Sequence, residues 1–211
     1  MSLPPESSLT YFRSDVPVGR SGAWVVEKVV LPERAYDPAA DPRPDCFKFR
    51  PGTYTCLRQG ATQFMTDLYD EWWTQRSAIQ QAFARGGDVL ITGLGLALVA
   101  EAILREPHSR VNRVTIIEKS VDVISLVAPY LEARYPGKVE VIEADAFVWR
   151  PPLERFFTVG WHDIWPDPHP AQVAREMDQL REHHQTWCEW QGFWPKAYLE
   201  ASAVQDVAAR S

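Results

Sequence analysis

Long apolar runs are missing from this chain of 211 residues. No stretch approaches the ~20 apolar residues that a membrane span needs. The N-terminus, MSLPPESSLT, is polar and lacks the apolar region of a signal peptide. A soluble, cytoplasmic protein with no membrane partner is expected. Cysteine is scarce: Cys46, Cys56 and Cys188 are odd in number and widely spaced. That is neither zinc nor disulfide-framework spacing and suits a reduced compartment. A basic excess is absent, with 22 Lys and Arg against 28 Asp and Glu, for a net charge of −6. Contact with a phosphate backbone needs clustered cations, so no nucleic-acid partner is expected. An acidic site would instead suit a cationic ligand. His108, His162, His169, His183 and His184 show no metal-ligand spacing and read as surface or hydrogen-bonding residues. No metal is expected.

What is present is one segment of unusual information. Residues 88–100 read DVLITGLGLALVA. The short apolar run Val89 to Ile91 reads as a buried strand. Gly93 and Gly95 then make a tight turn, and an apolar helical run starts at Leu96. Glycine serves where backbone turns sharply or lies flush against a ligand. A strand–glycine–helix turn points free N–H groups at whatever lies above it. Val114 to Ile117 forms a second strand-like run ending in Glu118, about 20 residues past the glycines, where an acid can grip ribose hydroxyls. A third, Val139 to Ile142, leads to Glu143, Asp145 and Ala146. A fourth, Phe156 to Val159, leads to Asp163, Trp165 and Asp167. Ligands of open α/β sheets bind outside the carboxyl ends of the strands. Four such ends converging on one crevice carry more weight than any one alone. A dinucleotide fingerprint would want a third glycine where Leu98 stands, which disfavours a nicotinamide cofactor.

In order and spacing, residues 50–170 resemble the class I S-adenosylmethionine-dependent methyltransferase fold, and more narrowly its spermidine synthase-like branch. The resemblance rests on the turn at Gly93 and Gly95, the acid Glu118, the pair Asp145-Ala146, and Asp163 followed by Asp167-Pro168. It implies S-adenosylmethionine, or its decarboxylated form, as cofactor. It implies Gly93, Gly95, Glu118, Asp145 and Ala146 as its contacts and Asp163 as the catalytic acid–base residue. Asp67, Trp165 and Asp167 become substrate-side candidates. Two features depart from polyamine synthases. Ile164-Trp165-Pro166 separates the acids, and Gln75-Arg76-Ser77 stands where a histidine would be expected after Tyr69 and Glu71. The departures lean towards methyl transfer to a small acceptor, an amine suiting a base at Asp163. Aminopropyl transfer and a non-catalytic nucleoside-binding or assembly role remain open.

The chain can bury one substantial core with a small N-terminal addition. Residues 1–66 read as a tail, over about the first 20 residues, followed by a small β element, with strands around Trp24, Tyr54 and Phe64. Residues 67–211 read as the Rossmann-like α/β domain: a parallel sheet with helices on both faces, shortened at the C-terminus. One helix is expected over Leu68 to Arg85, capped by Asp67 and ended by Gly86-Gly87. Another follows Ser120, with Pro129 inside it. No strand is expected after Pro168, only helices over Ala171 to His184 and Pro195 to Ala209. Trp187, Trp190 and Trp194 then read as a helical stripe, core or dimer contact. A homodimer could cover the exposed sheet edge.

Overall fold

Val89, Leu90 and Ile91 are almost wholly buried, at 0–4% exposure. They make the central strand of a sheet covered on both faces, as an unbroken apolar run requires. The computed structural model describes residues 9–33, 50–107, 109–166 and 170–197. A first sheet is antiparallel, β1 (Gly19–Ser21), β2 (Trp24–Leu31), β3 (Gly52–Gln59) and β4 (Thr62–Thr66), in that order. Two short helices follow, α1 (Tyr69–Thr74) and α2 (Arg76–Arg85). The second sheet alternates with helices: β5 (Gly87–Thr92), α3 (Leu98–Arg105), β6 (Val111–Glu118), α4 (Val121–Arg134) and β7 (Val139–Glu143). It ends with β8 (Phe157–His162), α5 (Pro170–His184) and β9 (Cys188–Phe193). The strand order is β7-β6-β5-β8-β9, and every pairing is parallel. The chain reverses its direction of winding at β5, so a crevice opens between the ends of β5 and β8.

Several expectations hold in detail. Gly86 and Gly87 both have positive φ, 66° and 75°, and end α2. The Ser120 hydroxyl accepts from the Val123 N–H and caps α4, which runs through Pro129 to Arg134.

Four expectations need correction. First, residues 9–18 are not a loose tail. Ser14 and Val16 are buried, and Tyr11 packs edge-on against Trp72. Second, the helix over Leu68 to Arg85 is broken at Gln75, which ends α1 and starts α2. Third, Asp67 does not cap it. Its carboxylate accepts the N–H groups of Ser14 (2.8 Å) and Thr55 (2.7 Å), tying the leading segment to β3. Fourth, a strand does follow Pro168. Cys188–Phe193 pairs with β8 and is reached through α5. Trp187, Trp190 and Trp194 therefore precede, occupy and follow a strand. Gly192 is required there, because a Cβ would lie 2.3 Å from the Trp190 ring and 2.8 Å from that of Trp161. Asp167, Cys46, His108, His169 and most of the expected final helix lie outside the described residues.

Candidate functional site

The ends of β5, β6, β7 and β8 meet around a cavity of about 370 Å³. That is within the range of about 300–1,000 Å³ usual for small-molecule sites. The antiparallel sheet closes its other side with Trp24, Leu57, Phe64 and Met65. Gly93, Gly95, Glu118, Asp145, Ala146 and Asp163 all line it, so the sequence-derived residues are brought together.

Their roles are built from the backbone outward. Gly93 sits at φ 94°, and a Cβ there would lie 1.9 Å from the Asp163 carbonyl oxygen. No side chain fits, because the β5 and β8 ends touch at this point. Gly95, at φ 49°, lies under the Met65 sulfur, 2.5 Å from where a Cβ would stand. Met65 Sδ also accepts the Leu96 N–H at 3.1 Å. One donor of the turn is thus already engaged by the antiparallel sheet.

Glu118 ends β6 and braces the same turn. Its Oε2 accepts the Leu94 N–H (2.9 Å) and its Oε1 the Ser120 N–H (2.8 Å). Each carboxylate oxygen carries a second lone pair, so two acceptor sites remain for a pair of hydroxyls. Asp145 Oδ1 accepts the Phe147 N–H and shapes the turn after β7, while the residue itself stays exposed at the cavity rim. The Ala146 carbonyl accepts from His184 Nε2 at 3.0 Å. The tautomer follows from Trp187, whose indole N–H can only donate and does so to His184 Nδ1 (2.9 Å). His183 Nε2 bonds the Trp149 carbonyl. The end of α5 thereby holds the turn over residues 145–149.

Asp163 follows β8 directly and is half-buried. Burial pushes its carboxyl up to about 7, against the pull of the Gln75 hydrogen bond. Half-buried Glu71 on α1 also lines the cavity. It is raised well above the carboxylate range by burial first, then by Asp163 and Asp70. His162 is turned away from the cavity, between the Thr92 hydroxyl (3.0 Å) and Gln191 Oε1 (3.1 Å). Burial, and secondarily His184, pushes it down to about 3, so it is neutral.

Of the substrate-side candidates, Trp165 lines the cavity and donates its indole N–H to Glu176 at 2.6 Å. Asp67 does not line it and is held by backbone N–H groups. Asp167 lies outside the described residues. Glu71, Gln75 and Met65 gained no role from spacing alone, because the helix break and the docking of β4 onto the glycine turn bring them in. Among the described residues no group of three or more metal-ligating side chains occurs. No helix among them is long and apolar enough to cross a membrane.

A five-stranded parallel sheet, with a glycine turn after its central strand and acids at the strand ends, is a Rossmann-like α/β arrangement. No family model matches the chain, and no curated protein matches it. Solved structures do. A spermidine synthase bound to the transition-state analogue AdoDATO aligns at 15% identity and a TM-score of 0.47, over 97% of this chain and 74% of that one. The spermidine synthase of Thermotoga maritima gives the same identity and score over 97% and 73%. The 23S rRNA methyltransferase ErmE aligns at 22% identity and a TM-score of 0.36, over 55% of this chain and 41% of that one. These are likenesses of chain path, at identities that say nothing about chemistry.

Proposed function

We propose that the chain is a transferase that binds S-adenosylmethionine in this cavity and moves its methyl group to a small amine. One observation carries the reading: the glycine turn, Glu118, Asp145 and Asp163 arrive from four strand ends at one cavity. When bound, the cofactor supplies an activated alkyl group on a sulfonium. The chain's own residues do the rest. Glu118 offers its remaining lone pairs to vicinal ribose hydroxyls. The turn at Asp145 and Ala146 takes the base edge. The aromatic wall excludes water, and Asp163 orients the acceptor and takes the proton an amine sheds on alkylation. A carboxyl held near 7 can release and accept that proton at neutral pH.

A second reading, aminopropyl transfer from the decarboxylated cofactor, has its own support. The charged side chains on the cavity wall are Glu71, Glu118, Asp145 and Asp163 against Lys119. The Leu96 N–H is engaged by Met65. Such a wall suits a ligand without a carboxylate. Calorimetric titration with each cofactor form, with NAD as control, tests both readings. Ligand at about 100 times its dissociation constant should add about 2.7 kcal/mol of stability. Product mass from an amine panel then distinguishes methyl from aminopropyl transfer. No heat and no thermal shift with either form would end both readings.

A further inference from the structure

Gln75 is fully buried at the break between α1 and α2. Its side chain makes two hydrogen bonds of opposite sense. Oε1 accepts the Trp161 indole N–H at 2.8 Å, and Nε2 donates to Asp163 Oδ2 at 2.8 Å. An indole N–H cannot accept, so the oxygen of the amide must face Trp161 and the nitrogen must face Asp163. The break itself is pinned from the far side. The Thr74 hydroxyl donates to the Glu71 carbonyl (2.7 Å) and accepts the Trp194 indole N–H (3.0 Å). An uninterrupted helix would carry this residue elsewhere.

We propose that Gln75 is the positioning residue for Asp163: its amide, oriented by the Trp161 indole, fixes one carboxylate oxygen and leaves the other for the acceptor. The proposal rests on the reading that Asp163 faces the acceptor. Asp163 is approached by Glu71 from α1. Glu118, Lys119 and Asp145 line the same cavity from the ends of β6 and β7. His162 is bonded away from it. Gln75 is the neutral donor in this acidic company, and a donor to the charged form favours ionisation. It keeps a buried carboxyl usable as a base without adding a cation that would repel a cationic acceptor.

The test uses the cofactor-free protein, so its outcome is separate from that of the transferase reading. The ionisation of Asp163 is followed by carbon NMR of labelled aspartate carboxyls, with Asp163→Asn assigning the signal. Gln75→Met keeps the length and removes the donor. The Asp163 midpoint should rise above its value of about 7 by about one pH unit or more, the equivalent of a hydrogen bond to a charged group. Trp161→Phe frees the amide to flip and should move the midpoint the same way by less. Combined with Gln75→Met it should add nothing, because the two act through one contact. An unchanged midpoint in folded Gln75→Met, or an additive double variant, overturns the proposal. A purely structural role would lower the melting temperature without moving the midpoint. Should Gln75→Met fail to fold, Trp161→Phe decides alone: a midpoint that stays put overturns the proposal.

Discussion

Glu118, proposed above as the ribose contact, is first of all part of the scaffold. Its two oxygens brace Leu94 and Ser120, so it is part of the turn it decorates. Glu118→Ala should weaken cofactor binding by about 1.5–3 kcal/mol and also lower the melting temperature, because two part-buried N–H groups lose their acceptor. Calorimetry and a melting curve on one sample check both. A variant that melts like the parent would show that the brace is unimportant. Asp163→Asn should behave differently, leaving cofactor affinity nearly unchanged while turnover with an amine falls by about 10²–10⁴-fold. Equal turnover would remove Asp163 from the mechanism. The positions of Glu118, Asp145 and Asp163 at the cavity were readable in the sequence because each follows an apolar run, whereas that of Glu71, on α1, was not. The reason for Gly93 was not. Spacing suggested a ligand contact, whereas the 1.9 Å approach to the Asp163 carbonyl shows the chain's own packing demanding glycine.

At the scale of elements, the central strands β5, β6 and β8 were legible as apolar runs, and α4 from its Ser120 cap. Strand β9 was not. Cys188 to Phe193 mixes Glu189 and Gln191 with aromatics, and the spacing of Trp187, Trp190 and Trp194 imitates a helix. Pairing with β8 overrides that local pattern. The break at Gln75 was equally hidden, because six residues of α1 and ten of α2 share one helical register of apolar residues. Helix α5 has a further part to play. His184 holds the carbonyl of Ala146, one of the two residues proposed for the base edge. His184→Leu should weaken cofactor binding several-fold while leaving the turnover of saturated protein close to that of the parent. A titration of the folded variant that matches the parent would show that the turn needs no support from α5.

For the whole molecule, the buried titratable groups set opposing pH slopes. Asp163 has a folded value of about 7 against an ordinary 3.8. Between those values the folded protein holds a proton that the unfolded chain has released. The stability it contributes is therefore full at low pH and is lost as pH rises through about 7. Glu71, also raised, acts in the same sense. His162 and His184 are pushed down to about 3 and about 4 from 6.5, chiefly by burial. The unfolded chain protonates them first, so stability falls as pH drops below about 6.5. Asp163→Asn removes one slope. Its melting temperature should match the parent near pH 4, rise above it through neutrality and level off above about pH 7. A gain that is constant across this range would mean that Asp163 is not held in its neutral form by the fold.

The wall of the cavity includes Trp24, Trp161, Trp165 and Trp194, four of the nine tryptophans in the chain. Nearly half of the indole rings therefore stand at the cavity. A purine ring entering there, or a change in the water around those rings, should quench or shift the intrinsic fluorescence. If the proposed cofactor binds here, the protein should act as its own optical reporter, and occupancy should be readable in stopped flow without a label.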